Sequence, residues 1–131
     1  MILAEAELYI ANDKEVFMAG DIKYIDAEAG LKRVVNNAKL YAKLLGKFSE
    51  DPNFSEMIDV LAAGNMEKAK EAVHALKGLA ANLSLIELHD RIAELEMEIK
   101  TGTVNPNILS IVKDVYAQTL IEVDKVVSLY A

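Results

Sequence analysis

The sequence predicts an all-α protein, an up-and-down antiparallel four-helix bundle with short N-terminal helices. Apolar residues recur at intervals of three and four from about Ala38 onward, as on the buried faces of helices. Gly, Asn and Pro interrupt this pattern briefly, which favours short loops between antiparallel neighbours. With 131 residues the chain can bury a core without disulfides. We expect a single domain over residues 1–131, with an N-terminal extension at 1–24 and the helical bundle at 25–130.

Two short helices are predicted before the bundle. Residues 2–11, ILAEAELYIA, are mostly good helix formers, and Asn12 follows as a break. Asp26 has the character of an N-cap, so a second short helix is expected to run to about Val35, before Asn36. No segment shows a competing strand pattern.

The first bundle helix is expected to begin at Ala38. Its apolar positions are Leu40, Tyr41, Leu44, Leu45 and Phe48, and the pattern resumes at Phe54, Met57, Ile58 and Leu61. Pro52 lies between the two groups and is expected to kink or split the helix, because proline has no N–H for the helical ladder. We expect the second part to end at Gly64.

The next helix, within residues 65–84, carries the one histidine that is placed for chemistry. Its core positions are Ala69, Val73, Leu76, Ala80 and Leu83, all within about 40° of one line on a helix of about 100° per residue. His74 lies roughly 140° from that line. The imidazole is therefore expected to face water.

Small and basic residues surround His74. Gly78 and Ala81 are expected beside it, with Lys70 and Lys77 on its flank. A solvent-facing imidazole with small neighbours is accessible to a partner, and the lysines can neutralise an anion bound to the ring. These are the requirements of a phosphoryl carrier.

Two further helices complete the predicted bundle. The first has the apolar positions Leu85, Leu88, Ile92, Leu95 and Ile99 and stops at Gly102. The second begins at Asn105-Pro106, and its inner face holds Ile108, Val112, Val115, Thr119, Val123, Val126 and Tyr130. Four methionines, Met18, Met57, Met66 and Met97, are interpreted as gap fillers in the core.

Glu96 is the predicted partner of the His74 ring. It lies about 40° off the core stripe of its helix, on the flank shared with His89 and Lys100. One ring nitrogen must attack phosphorus while the other carries the proton, so a hydrogen-bond acceptor would fix the tautomer. His89 lacks such neighbours and is interpreted as a surface histidine.

Lys77 and Gly78 complete the candidate site. Lys77 is placed one turn from His74 to pair with phosphoryl oxygens, and Lys100 would add a second positive charge. A glycine inside a helix is less favourable than alanine by about 1 kcal/mol. Room for the phosphoryl group or for an incoming partner is the expected reason for Gly78.

The same stretch resembles a known family. The run HALKGLAANLS at 74–84 is similar to the signature of histidine-containing phosphotransfer (HPt) domains, in which lysine follows the histidine by three residues and glycine by four. The segments at 25–48 and 85–102 resemble the helices on either side, so the resemblance covers residues 25–102. It implies that His74 is phosphorylated and that a polar acceptor at Glu96 is usual.

The resemblance implies phosphorelay signalling, in which His74 accepts a phosphoryl group from one receiver-domain aspartate and passes it to another receiver. Response-regulator receiver domains and a sensor histidine kinase would be transient protein partners. Without a Gly-rich phosphate loop or a Walker lysine, the chain is expected to be a phosphocarrier and not an enzyme. Two alternatives stay open: the isolated phosphorylatable module of a chemotaxis-type histidine kinase, and an adaptor bundle without phosphate chemistry.

Composition excludes several other classes. The formal charge of −7 argues against nucleic-acid partners. No apolar run reaches the roughly 18–20 residues of a membrane span, and no signal peptide is recognisable, so we expect a cytoplasmic protein without a membrane partner. With no cysteine and two histidines, neither a metal nor another cofactor is expected.

Overall fold

The computed structural model describes residues 8–11, 15–18 and 22–130. A strand pair, β1 (Leu8–Ala11) and β2 (Glu15–Met18), precedes the helices. The helices of the described chain are α1 (Ala27–Arg33), α2 (Ala38–Ser49), α3 (Asn53–Ala62), α4 (Met66–Asn82), α5 (Ile86–Thr101) and α6 (Pro106–Tyr130). Residues 22–130 therefore form the all-helical part that the periodicity predicts. None of the described helices is long and apolar enough to cross a membrane.

Polar caps fix several helix ends. The side chains of Asp26, Asn37 and Asn65 each accept a hydrogen bond from the backbone N–H three residues further on, at the starts of α1, α2 and α4. At the end of α5, Gly102 adopts a left-handed conformation with φ of 83°, which glycine tolerates without a Cβ clash. The predicted starts of α1, α2 and α4 and the predicted end of α5 are confirmed.

Pro52 splits the first bundle helix. α2 ends at Ser49 and α3 begins at Asn53, with Pro52 at the N-cap position of α3. A proline at the start of a helix leaves no internal donor unpaired, whereas one inside the helix would break the ladder. Of the two outcomes that the sequence left open, kinking and splitting, the structure has the second.

The helices pack around one core. α4 lies between α3 and α5, α5 also packs on α6, and α6 packs on α2. Fully buried side chains come from each of these five helices, for example Leu45, Met57, Val73, Ile92 and Val123. Every position of the predicted core stripe of α4 is buried. This orientation turns the opposite side of α4 outward.

The prediction of a helix over residues 2–11 is wrong where the structure describes that segment. β1 and β2 form an antiparallel pair in which Tyr9 is opposite Phe17 and Ile10 is opposite Val16. Aromatic and β-branched residues on both sides of a short polar connection favour a hairpin over a helix. Residues 2–7 lie outside the described part of the chain. β1 lies against α6.

A buried carboxylate anchors the segment before α1. Glu122 on α6 accepts hydrogen bonds from the backbone N–H of Lys23, at 2.8 Å, and of Tyr24, at 2.7 Å. The N–H of Asp26 donates to the carbonyl of Ser84 at 2.9 Å, in the connection between α4 and α5. This segment therefore links α6 to the end of the bundle where α4 and α5 meet.

Candidate functional site

His74 lies on the outer face of α4. Its neighbour Val73 and the residue two positions on, Leu76, are buried in the core, whereas the His74 side chain is 79% exposed. The helical phase of α4 produces this contrast, because consecutive side chains point about 100° apart. The predicted exposure of the ring is confirmed.

Glu96 on α5 joins two side chains of α4. Its Oε2 lies 3.3 Å from Nδ1 of His74, and its Oε1 accepts a hydrogen bond from Nζ of Lys77 at 2.5 Å. Glu96 is itself buried, so its carboxylate reaches the α4 side chains from between the two helices. The structure thus brings together three of the residues that the sequence singled out.

The charge on Glu96 is stabilised by its neighbours. The hydrogen bond from the Lys77 ammonium holds the pKa of the Glu96 carboxyl below its usual value, against the opposing effect of burial. The hydrogen bond with His74 and the charge of Lys100 lower this pKa further. An ionised carboxylate only accepts hydrogen bonds, so a neutral His74 ring that bonds to Glu96 does so with its proton on Nδ1, which leaves the lone pair on Nε2.

The remaining predicted residues lie outside this cluster. Lys70 forms an ion pair with Glu67 at 3.4 Å on its own helix. His89 is a surface residue as expected, with Nδ1 at 3.1 Å from Oδ1 of Asp90. Lys100 acts on Glu96 through its charge, and no direct contact between the two is recorded within the described chain.

Gly78 leaves an open patch one turn beyond His74. A Cβ at this position would meet no heavy atom within 4 Å, and the backbone is not in the left-handed region. Neither packing nor backbone conformation therefore requires glycine here, although it is less favourable in a helix than alanine. The physical effect of Gly78 is low relief beside the exposed ring.

Met97 departs from its predicted place. Its side chain is 65% exposed, so it does not fill a gap in the core, whereas Met57 is fully buried and fits that interpretation. Met97 follows Glu96 by one residue and therefore points about 100° further from the core of α5. Met66 is partly buried. Met18 belongs to β2, whose side chains lie outside the description.

The fold and the site define a helical bundle with an exposed histidine whose ring contacts a buried carboxylate. A family model, the Hpt domain, matches residues 43–122, more than half of the chain. The protein therefore belongs to the Hpt domain family, the histidine phosphotransfer modules of two-component phosphorelays. These domains are phosphocarriers, not kinases, and they interact with receiver domains and kinases. Comparisons with curated proteins and with solved structures give no match.

Proposed function

We propose that this protein is a phosphorelay intermediate that carries a phosphoryl group on Nε2 of His74. It accepts the group from the aspartyl phosphate of one receiver domain and passes it to the aspartate of another. The observation that supports this role is the exposed His74 ring, whose Nδ1 lies 3.3 Å from the buried Glu96 carboxylate. The ring is accessible, and a neutral ring that donates from Nδ1 to Glu96 has the lone pair of Nε2 available for attack on phosphorus.

The transfer requires no redox partner. Nε2 of the neutral ring attacks phosphorus, the P–O bond to the donor aspartate breaks, and that carboxylate leaves with the electron pair. The phosphorylated ring keeps its Nδ1–H and becomes cationic, so the Glu96 carboxylate stabilises it. In the second transfer, the aspartate carboxylate of the accepting receiver domain attacks phosphorus, and the electron pair of the P–N bond returns to Nε2.

Lys77 has two partners in this scheme. In the unphosphorylated protein its ammonium binds Glu96. It lies one turn from His74, so it can also pair with an oxygen of the phosphoryl group, a charge-assisted contact of about 1.5–3 kcal/mol. Lys100 supplies additional positive charge, and Gly78 leaves space for the incoming domain.

The proposal includes the arrangement of the helices. The segment formed by α2 and α3 and the helices α4, α5 and α6 would be the four members of an up-and-down antiparallel bundle within a single domain. The short connections at residues 83–85 and 102–105 support this arrangement, because packed helices joined by so few residues run in opposite directions.

A radiolabel experiment tests the function. The protein is incubated with receiver domains that carry labelled aspartyl phosphate, and we expect acid-labile, base-stable label on the wild type and none on His74→Gln. His89→Gln is the matched control, since His89 is the second histidine of the chain and should not affect labelling. Label that survives in His74→Gln would contradict the proposal.

A second arm of that experiment separates the alternatives. Incubation with ATP and a separate kinase domain, without receivers, tests the chemotaxis-type module, which would be labelled only in this arm. An adaptor bundle would be labelled in neither arm. A phosphorelay intermediate is expected to exchange label with receivers in both directions.

A further inference from the structure

The two flanks of α4 beside His74 carry opposite charges. Lys70 and Lys77 lie on the flank that faces α5, about 40° and 60° around the helix from His74. Glu71 precedes His74 by three residues and lies about 60° to the other side, on the flank that faces α3. The site described above involves the basic flank, and Glu71 has no part in it.

An open groove separates the Glu71 flank from α3. Its volume is about 280 Å³, and its lining includes Glu71, Ala75 and Lys68 from α4 and Glu56 from α3. Both glutamates are exposed. The α3 side of His74 is therefore bordered by two carboxylates and one lysine, whereas the α5 side presents lysines to the ring.

The carboxylate of Glu71 is unpaired. It has no ion pair or hydrogen bond within the described chain. The adjacent Lys70 pairs with Glu67 at 3.4 Å. The charge of Glu96, the other carboxylate beside His74, is offset by its ion pair with Lys77. Glu71 thus places an uncompensated negative charge one turn from the ring.

This charge acts mainly on the phosphorylated state. Phosphorylation adds about one negative charge, because the phosphoryl oxygens carry about two and the ring becomes cationic. Side chains three residues apart on a helix are neighbours, with Cβ atoms about 5–6 Å apart. Two unit charges about 7 Å apart repel each other in water by roughly RT, which changes an equilibrium constant about threefold.

We propose that Glu71 destabilises the phosphorylated form of His74 and thereby shifts phosphoryl exchange toward the receiver domain. Glu71 acts through its charge and is not a catalytic residue. Lys77 stabilises the phosphoryl group from the opposite flank, and Glu71 offsets part of that effect, so the group remains transferable. This inference rests on the proposed function, since the two states that it compares are free and phosphorylated His74.

The equilibrium constant of phosphoryl exchange tests this role. It is obtained as the ratio of kcat/KM for transfer to His74 and from His74, with the receiver domain that exchanges fastest with the wild type. We expect Glu71→Gln to shift this constant about threefold toward phosphorylated His74 at low ionic strength, and less at high salt.

Asp124→Asn is the matched control for the loss of one negative charge. Asp124 is exposed on α6, which packs on α2 and α5. Its substitution should leave the equilibrium constant unchanged.

A series of side chains at position 71 separates charge from shape. Glu71→Asp keeps the charge and should keep the constant of the wild type. Glu71→Lys reverses the charge and should shift the constant about sevenfold, in the same direction as Glu71→Gln. Gln and Lys are as good helix formers as Glu, so thermal unfolding should be unchanged. A contact between Glu71 and the receiver would alter both transfer rates in the same proportion and would not change their ratio.

The outcomes separate this inference from the function on which it rests. If the wild type exchanges with a receiver and the constants of Glu71→Gln and Glu71→Lys equal that of the wild type, only the role of Glu71 fails. An equal shift in Asp124→Asn would also overturn it, because net charge would then be the cause. If no receiver exchanges with the wild type, the proposed function fails and the role of Glu71 fails with it.

Discussion

The Glu96 carboxylate and the His74 ring meet across the contact between α4 and α5, with Oε2 of Glu96 at 3.3 Å from Nδ1 of His74. The two residues are 22 positions apart, so the contact depends on how the two helices pack. Because an ionised carboxylate can only accept, this contact selects the tautomer that leaves Nε2 free. Under the proposed function, the reactivity of the ring therefore depends on how α5 packs against α4.

Removal of the Glu96 carboxylate should slow phosphoryl transfer to His74. Glu96→Ala is expected to reduce the rate about tenfold or more, because the charge-assisted hydrogen bond to the ring contributes about 1.5–3 kcal/mol. Glu96→Gln keeps an oxygen that accepts a hydrogen bond, so its transfer rate should fall less than that of Glu96→Ala. Nitrogen-15 NMR of the imidazole tests whether Glu96 fixes the tautomer of the His74 ring, since Glu96→Ala should show a mixture of tautomers.

The control for this substitution is Glu94→Ala. Glu94 lies on the same helix, but its carboxylate contacts Arg91 and not His74. An unchanged tautomer and an unchanged transfer rate in Glu96→Ala would contradict the role of the carboxylate.

The lowered pKa of Glu96 predicts a pH dependence of stability. Lys77 is the main cause, and it places the folded-state pKa below the unfolded value of about 4.3. The unfolded state therefore binds the proton more readily, so this interaction stabilises the fold above about pH 4.3 and is lost as the pH falls through the folded-state pKa. Urea unfolding at a series of pH values should show a steeper loss of stability in the wild type than in Glu96→Gln. Identical slopes would argue against the prediction.

The sequence predicted the parts of the fold that depend on local chemistry. Capping residues such as Asn65 and the period of the apolar residues determine where α4 begins and which side of it is buried. The exposure of His74 follows from that phase alone. The contact with Glu96 also followed, because a short connection leaves two adjacent helices few ways to pack.

Other features depend on contacts that no local pattern encodes. The segment that contains β1 was predicted as a helix, because a short apolar segment can form either a helix or a strand. Its pairing with β2, which no local pattern encodes, determines that it is a strand. Glu122 can be buried because its carboxylate accepts hydrogen bonds from the backbone N–H groups of Lys23 and Tyr24. These residues are 99 and 98 positions away in the sequence.

A groove lined by Ala29 of α1 and Ala81 of α4 was missed because the position of α1 against α4 is a tertiary property. Gly30, a glycine inside a predicted helix, was a sequence signal of a different close approach, that of α1 to Tyr41 on α2.

Lys77→Ala should impair the site without unfolding the bundle, because the Lys77 side chain is partly exposed and not part of the core. The substitution removes the main cause of the low pKa of Glu96, and it also removes a cation from the phosphoryl group. We expect slower receiver exchange and faster hydrolysis of phosphorylated His74, both measured by loss of label. Lys70→Ala is the control, since Lys70 pairs with Glu67. Unchanged exchange in both directions would exclude Lys77 from the mechanism.

Gly30→Ala is expected to destabilise the fold. A Cβ at Gly30 would overlap the ring of Tyr41, and this ring is held in place because its hydroxyl donates to the carbonyl of Leu83 at 2.7 Å. Overpacking of this kind costs about 1–3 kcal/mol. Urea unfolding measures the change.

Gly46→Ala is the matched control for that substitution. A Cβ at Gly46 meets no heavy atom within 4 Å, and the residue lies inside α2, so alanine should stabilise the protein by about 0.5–1 kcal/mol. A Gly30→Ala variant as stable as the wild type would show that Tyr41 can move aside.

Gly78→Leu should separate folding from docking. Its Cβ enters open space and leucine is a better helix former than glycine, so the variant is expected to be at least as stable as the wild type. The added bulk stands one turn from the His74 ring, where a receiver must approach. We expect receiver exchange to slow about tenfold or more. Labelling of His74 by phosphoramidate, a small phosphoryl donor that needs no docking surface, should be nearly unchanged.

Gly46→Leu controls for the added side chain in this experiment. Gly46 also has open space at its Cβ position, but it lies on α2, away from the α4–α5 pair that carries His74 and Glu96. Its receiver exchange should equal that of the wild type. Normal exchange in Gly78→Leu, measured with the same receiver, would mean that the domain approaches His74 from another side. The low relief at Gly78 would then have no part in docking.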